Sequence, residues 1–141
     1  MQPLELPTDL VFSQPYPIRT RWSDEDNQAV LNNAVYLTLF EEARLHYFTE
    51  LGFLAENRFP FLLAQTNLRF RAPGRGGVEG SVEVATVKLG RSSFEQAYRV
   101  RGPKGELWCE GLALLVCYDP VSGASQPMPE DFRAGLASKL G

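Results

Sequence analysis

Larger residues at Tyr16, Ile18, Thr20 and Trp22 alternate with polar ones, the period of two that marks a half-buried strand. Upstream, Pro3, Pro7, Pro15 and Pro17 break regular structure, so residues 1–14 read as an irregular lead-in. Ser23–Gln28 is a polar, acidic loop. The period then changes. Ala34, Val35, Tyr36, Leu37, Leu39, Phe40, Ala43, Leu45, Tyr47, Phe48 and Leu51 follow helical spacing, with Asn32 and Asn33 where an N-cap belongs and Gly52 suited to end the helix. These apolar positions cover more than one stripe, so the helix is expected to be enclosed over most of its girth. Its polar positions cluster at Glu41, Glu42, Arg44, His46 and Glu50.

Four extended segments follow: Phe61–Ala72, Val78–Leu89, Ser93–Arg101 and Glu106–Asp119. Pro73–Gly77 stops the first, and Gly90 and Gly102-Pro103-Lys104-Gly105 join the last three, which predicts that these form an antiparallel meander. Pro129, with Glu130 and Asp131 behind it, opens a short helix over 128–140. The order is strand, long helix, four strands, short helix, without repeat or linker. It predicts one α+β domain over 1–141, in which a curved antiparallel sheet covers the long helix. Apolar residues on parts of both sheet faces predict a homodimer.

Composition narrows the function more than the fold. At 141 residues the chain is one domain with enough length for a hydrophobic core. A net charge of −3 argues against a general nucleic-acid binder, though not against a local basic patch. The N-terminus lacks the basic-then-apolar pattern of a signal peptide, and the longest apolar run, Leu112–Tyr118, is strand-sized. A cytoplasmic protein without a membrane span is the expectation. Cys109 and Cys117 share a face of one strand too far apart to bridge, so they read as reduced, small apolar residues.

Candidate chemistry is sparse. The single histidine, His46, lies mid-helix between Glu42 and Glu50 and reads as a surface residue, leaving a Ser-His or Cys-His relay no other base. No His/Cys/Asp grouping has metal-ligand spacing, so no metal is expected, and no phosphate-binding glycine motif is present. What remains is Asp24-Glu25-Asp26, just before the long helix. Two readings are equally supported. The acids face the helix dipole, or one of them acts on a carbonyl polarised by the free N–H groups around Asn32–Ala34.

Arg21-Trp22-Ser23-Asp24-Glu25-Asp26, Asn32-Asn33-Ala34-Val35-Tyr36 and Phe40-Glu41-Glu42-Ala43-Arg44 together resemble the hotdog-fold thioesterases related to 4-hydroxybenzoyl-CoA thioesterase. Arg69-Phe70-Arg71-Ala72-Pro73, Gly90-Arg91-Ser92-Ser93-Phe94 and Tyr118-Asp119 extend the resemblance over roughly residues 16 to 120. It implies a hotdog fold, a curved antiparallel sheet wrapped around one long central helix, in homodimers or homotetramers. It also implies acyl-CoA hydrolysis with no cofactor, coenzyme A being part of the substrate. By position, the catalytic aspartate falls on Asp26 and the carbonyl-polarising N–H on Asn33, while Asp24 shapes the loop. Tyr36, Arg71, Arg91, Ser92 and Ser93 become candidates for substrate binding, with the Arg91-Ser92-Ser93 turn favoured.

The sequence departs from the family at Ala29-Val30, where relatives often carry glycine followed by histidine or an apolar residue. The missing glycine adds a Cβ where the backbone is expected to need close approach or positive φ. The missing histidine counts against a hydratase. The leading expectation is hydrolysis of a small or medium acyl-CoA, with Asp26 as nucleophile or general base. The alternatives are a non-catalytic module that binds acyl-CoA or acyl-carrier protein, and an oligomerisation domain. Phe40, Tyr47, Phe59 and Phe61 read as core rather than as an acyl pocket.

Overall fold

The computed structural model describes residues 1–54 and 56–140. Five strands, β1 (Tyr16–Arg19), β2 (Phe61–Phe70), β3 (Glu79–Leu89), β4 (Ser93–Arg101) and β5 (Leu107–Cys117), form one antiparallel sheet in the order β1-β3-β4-β5-β2. Helix α1 spans Val35–Leu51 and helix α2 spans Glu130–Ala137. Register shifts at Leu63/Gln65, Thr86/Lys88 and Val100/Arg101 interrupt the ladders, and such bulges bend and twist the strands that carry them.

The core lies between α1 and one sheet face. Phe40 stacks on Tyr98 with ring centroids 4.7 Å apart, and the Tyr47 and Thr86 hydroxyls share a hydrogen bond of 2.7 Å. Near the C-terminal end of α1, Phe48 packs against Phe61, Phe94 and Phe132, which seats α2 on the same core. Cys109 and Cys117 are free and buried, and burial pushes the Cys109 thiol up to about 12. Gly52 ends α1 in the left-handed region, at φ 78°.

Two expectations change, and the irregular lead-in takes a place on the sheet. The first strand stops at Arg19 and the chain turns through a short 3-10 helix, Trp22–Asp24, so Trp22 is exposed rather than paired. The long helix is not enclosed within one chain. Tyr36, Leu39, Phe40, Ala43, Arg44, Tyr47 and Phe48 are buried, but Leu37 and Leu45 are exposed on the opposite side with Glu41 and Glu42. The lead-in packs as a strap across the sheet face opposite α1. Ser13 N–H donates to Val84 O, Phe12 lies under the Arg99 guanidinium, and the Leu4 carbonyl accepts from Arg69.

One edge of the sheet is β2, ten residues long, carrying exposed Leu62, Leu63 and Phe70. A long apolar edge with open backbone groups is a pairing surface.

Candidate active site

The acidic segment folds back on itself before entering α1. Glu25 and Leu31 form an isolated antiparallel bridge, Asp26 N–H donates to Val30 O at 2.8 Å, and Asn32 N–H donates to Asp24 O at 2.8 Å. The tip closes with Ala29 at φ 58°, a left-handed conformation that costs an L-residue with a Cβ roughly 1–2 kcal/mol. Arg75 Nη1 donates to the Ala29 carbonyl at 2.9 Å and fixes that tip. Gly74 and Gly76 make the support beneath it possible. A Cβ at Gly76 would lie 2.4 Å from the Arg21 carbonyl, and one at Gly74 would lie 2.6 Å from the Tyr36 hydroxyl.

None of the three acids caps α1. Asp24 accepts from the Arg21 N–H at 2.8 Å and from the Arg21 guanidinium at 3.0 Å. Burial alone would raise its carboxyl, but the Arg21 backbone N–H and guanidinium outweigh that and hold it below the usual carboxylate range. Glu25 accepts from Gly76 N–H at 2.9 Å. Asp26 Oδ1 accepts from Gln28 N–H at 2.8 Å, which orients the carboxylate, while Oδ2 has no partner among the described residues. Asn32 shapes the entry to α1 instead with an Asx turn, its Oδ1 accepting from Ala34 N–H at 3.0 Å and its carbonyl from Val35 N–H. That leaves the Asn33 N–H, within that turn, without a partner among the described residues. The loop thus presents an oriented, half-exposed carboxylate and an open backbone donor at the same end of α1.

Of the other sequence candidates, Tyr36 lies beneath this loop and the rest lie elsewhere. Tyr36 is buried against Phe70, and burial pushes its phenol up to about 12. Arg71 lies with Arg69 and Arg99 on the sheet face opposite α1, its Nε 2.6 Å from Glu110 Oε1. Arg91, Ser92 and Ser93 form the turn joining β3 to β4; Arg91 is exposed, and the Ser92 carbonyl accepts from Cys117 N–H. Since β3 runs from Glu79, near the acidic loop, to Leu89, near this turn, the two lie at opposite ends of the sheet, roughly 30 Å apart. Sequence reasoning missed Arg44, which was counted with the polar positions but is 6% exposed.

One groove touches none of these candidates. A groove of about 670 Å³ runs between α1 and β2, lined by Leu37, Arg44, Leu45, Phe59, Leu62 and Leu63 among others. Among the described residues, no group of three or more His, Cys, Asp and Glu side chains could hold a metal, and no helix is long and apolar enough to cross a membrane.

Residues 20–136 match the family model of the thioesterase-like superfamily. The chain belongs to that superfamily. The thioester-hydrolase class expected from the sequence is the class this membership carries. The chain is similar to the acyl-CoA thioester hydrolase YbgC of Escherichia coli O6:H1, 24% identical over 124 residues that cover 84% of this chain and 92% of the relative. Among solved structures it is similar to a Thermus thermophilus thioesterase complexed with coenzyme A and Zn, with TM-score 0.80, 30% identity and coverage of 93% and 95% of the two chains. A 1,4-dihydroxy-2-naphthoyl-CoA thioesterase from Synechocystis shares the fold at TM-score 0.76 and 17% identity, over 87% of this chain and 94% of that one.

Proposed function

We propose that the protein hydrolyses acyl-CoA thioesters at the loop that joins the acidic segment to α1, in a hotdog arrangement with the sheet wrapped around that helix. The observation that carries this is the pairing of two open groups in one loop. Asp26 keeps an unpartnered Oδ2, and Asn33 keeps an unpartnered N–H beside the helix N-terminus.

In this reading the Asn33 N–H, aided by the helix dipole, donates to the thioester carbonyl oxygen and stabilises the oxyanion. Asp26 then acts in one of two ways. As a nucleophile, its Oδ2 bonds to the carbonyl carbon, the C–S bond breaks, the thiolate leaves and takes up a proton, and water hydrolyses the acyl anhydride. As a general base, Asp26 takes a proton from water as the water oxygen bonds to the carbonyl carbon, and the C–S bond then breaks to give acid and thiol. Single turnover in ¹⁸O-water separates the general-base route, which puts ¹⁸O in the released acid, from a nucleophilic route in which water attacks the Asp26 carbonyl carbon of the anhydride, which leaves ¹⁸O in Asp26 and none in the acid.

The Arg91-Ser92-Ser93 turn is the reading's second half, a site for coenzyme A phosphates on an exposed arginine and two hydroxyls. Its separation from Asp26 supports a site shared between two copies, each supplying one end of its sheet. The open β2 edge supplies a surface on which the copies can pair. Tyr36 and Arg71 then hold the structure, Tyr36 beneath the loop and Arg71 on Glu110.

Thiol release measured across aryl-, short- and long-chain acyl-CoA substrates tests the activity. Turnover of at least one class is the expected result. Tight acyl-CoA binding with no turnover of any class would contradict it and establish the binding-module alternative.

A further inference from the structure

The orientation of Asp26 depends on a turn that a side chain from another part of the chain holds closed. Asp26 N–H donates to Val30 O at 2.8 Å and Ala29 N–H donates to Asp26 O at 3.1 Å, so residues 27–29 form a three-residue connection. Within it Gln28 N–H donates to Asp26 Oδ1 at 2.8 Å. Connections of this length close through a left-handed third residue, and that residue here is Ala29, at φ 58°. If Ala29 relaxed to an ordinary φ, Val30 O would swing away from Asp26 N–H, and the turn that aims Oδ1 would open. The carboxylate is therefore oriented through a conformation that alanine adopts reluctantly.

Arg75 opposes that relaxation. Its Nη1 donates to the Ala29 carbonyl at 2.9 Å, and among the described residues its guanidinium makes no ion pair. The backbone that carries it is fixed on three sides. Thr20, 1% exposed, donates its hydroxyl to Arg75 O at 2.7 Å. Gly74 O accepts from Leu31 N–H at 3.0 Å, on the arm of the loop that leads into α1. Gly76 N–H donates to Glu25 Oε2 at 2.9 Å, on the other arm. Arg75 thus stands between two residues bound to opposite arms of the loop, and its side chain spans to the tip. A guanidinium stays charged at every accessible pH, and a hydrogen bond from a charged donor is worth more than one from a neutral donor.

We propose that Arg75 is a positioning residue for the reaction: by holding the Ala29 carbonyl it keeps the tip left-handed and Asp26 in its working orientation. The proposal rests on Asp26 performing the chemistry. Arg75 touches no reacting atom in this role, so its effect falls on kcat. An exposed arginine that gripped a substrate phosphate would act on KM instead.

The test measures kcat and KM for thiol release in wild type, Arg75→Met and the double variant Ala29→Gly/Arg75→Met. Arg75→Met should lower kcat about tenfold, the worth of one charged hydrogen bond, and leave KM within about twofold. Adding Ala29→Gly should bring kcat back to within about threefold of wild type, because glycine holds the left-handed tip without a clamp. An unchanged kcat in Arg75→Met overturns the proposal, whether or not KM rises. So does a loss of kcat that Ala29→Gly does not relieve. Absence of turnover in the wild type would count against the hydrolase reading itself, and hydrogen exchange at the Asp26 amide then decides the clamp separately. Exchange about tenfold faster in Arg75→Met, slowed again in the double variant, upholds it. Equal exchange in wild type and Arg75→Met overturns it, as does faster exchange that Ala29→Gly leaves unslowed.

Discussion

At the scale of single residues, the acidic loop is held by one strained position and one buried carboxylate. Ala29 occupies a left-handed conformation at φ 58° that glycine adopts freely. Ala29→Gly should therefore raise unfolding stability by up to about 1 kcal/mol, the relieved strain exceeding the added chain entropy. A lower denaturant midpoint would show that the tip is not strained. The resemblance to the family marked this position, because relatives often carry glycine where this chain has Ala29. Asp24 acts on stability through pH. Its folded-state carboxyl lies below its ordinary value, so its contribution is complete above the ordinary carboxylate range and is lost as pH falls through the folded value. Asp24→Asn should cost about 1–2 kcal/mol at neutral pH. In thermal melts the gap between variant and wild type should close below roughly pH 4.

At the scale of elements, legibility depended on what marks an end. β4 runs over Ser93–Arg101 as its pattern indicated, because Gly90 and Gly102 punctuate both sides. β1 was read too long. Alternation continued through Trp22, but the Arg21 N–H is captured by Asp24 three residues on, a local contest that periodicity cannot register. The breadth of the apolar surface on α1 was legible, whereas its meaning was not. Part of it packs on the sheet and part, at Leu37 and Leu45, lines an open groove. Phe48 is the residue on which both helices depend, since it contacts Phe61, Phe94 and Phe132. Phe48→Ala should destabilise by about 3–5 kcal/mol in denaturant unfolding. A loss under about 1 kcal/mol would mean that α2 does not share this core.

At the scale of the whole molecule, the acidic loop and the Arg91-Ser92-Ser93 turn stand at opposite ends of one sheet, which no reading of motifs in order along the chain reveals. A shared site predicts complementation. Asp26→Ala and Arg91→Ala proteins, each impaired alone, should regain about a quarter of wild-type activity when their subunits are randomly exchanged into dimers. No gain on exchange would place the whole site within one chain. The claim beneath all of this is that Asp26 performs the chemistry, and kcat for thiol release by Asp26→Asn, measured on the best acyl-CoA of the panel, tests it most directly. The account predicts a fall of at least about a hundredfold with folding intact. Wild-type kcat in a folded Asp26→Asn protein would contradict it.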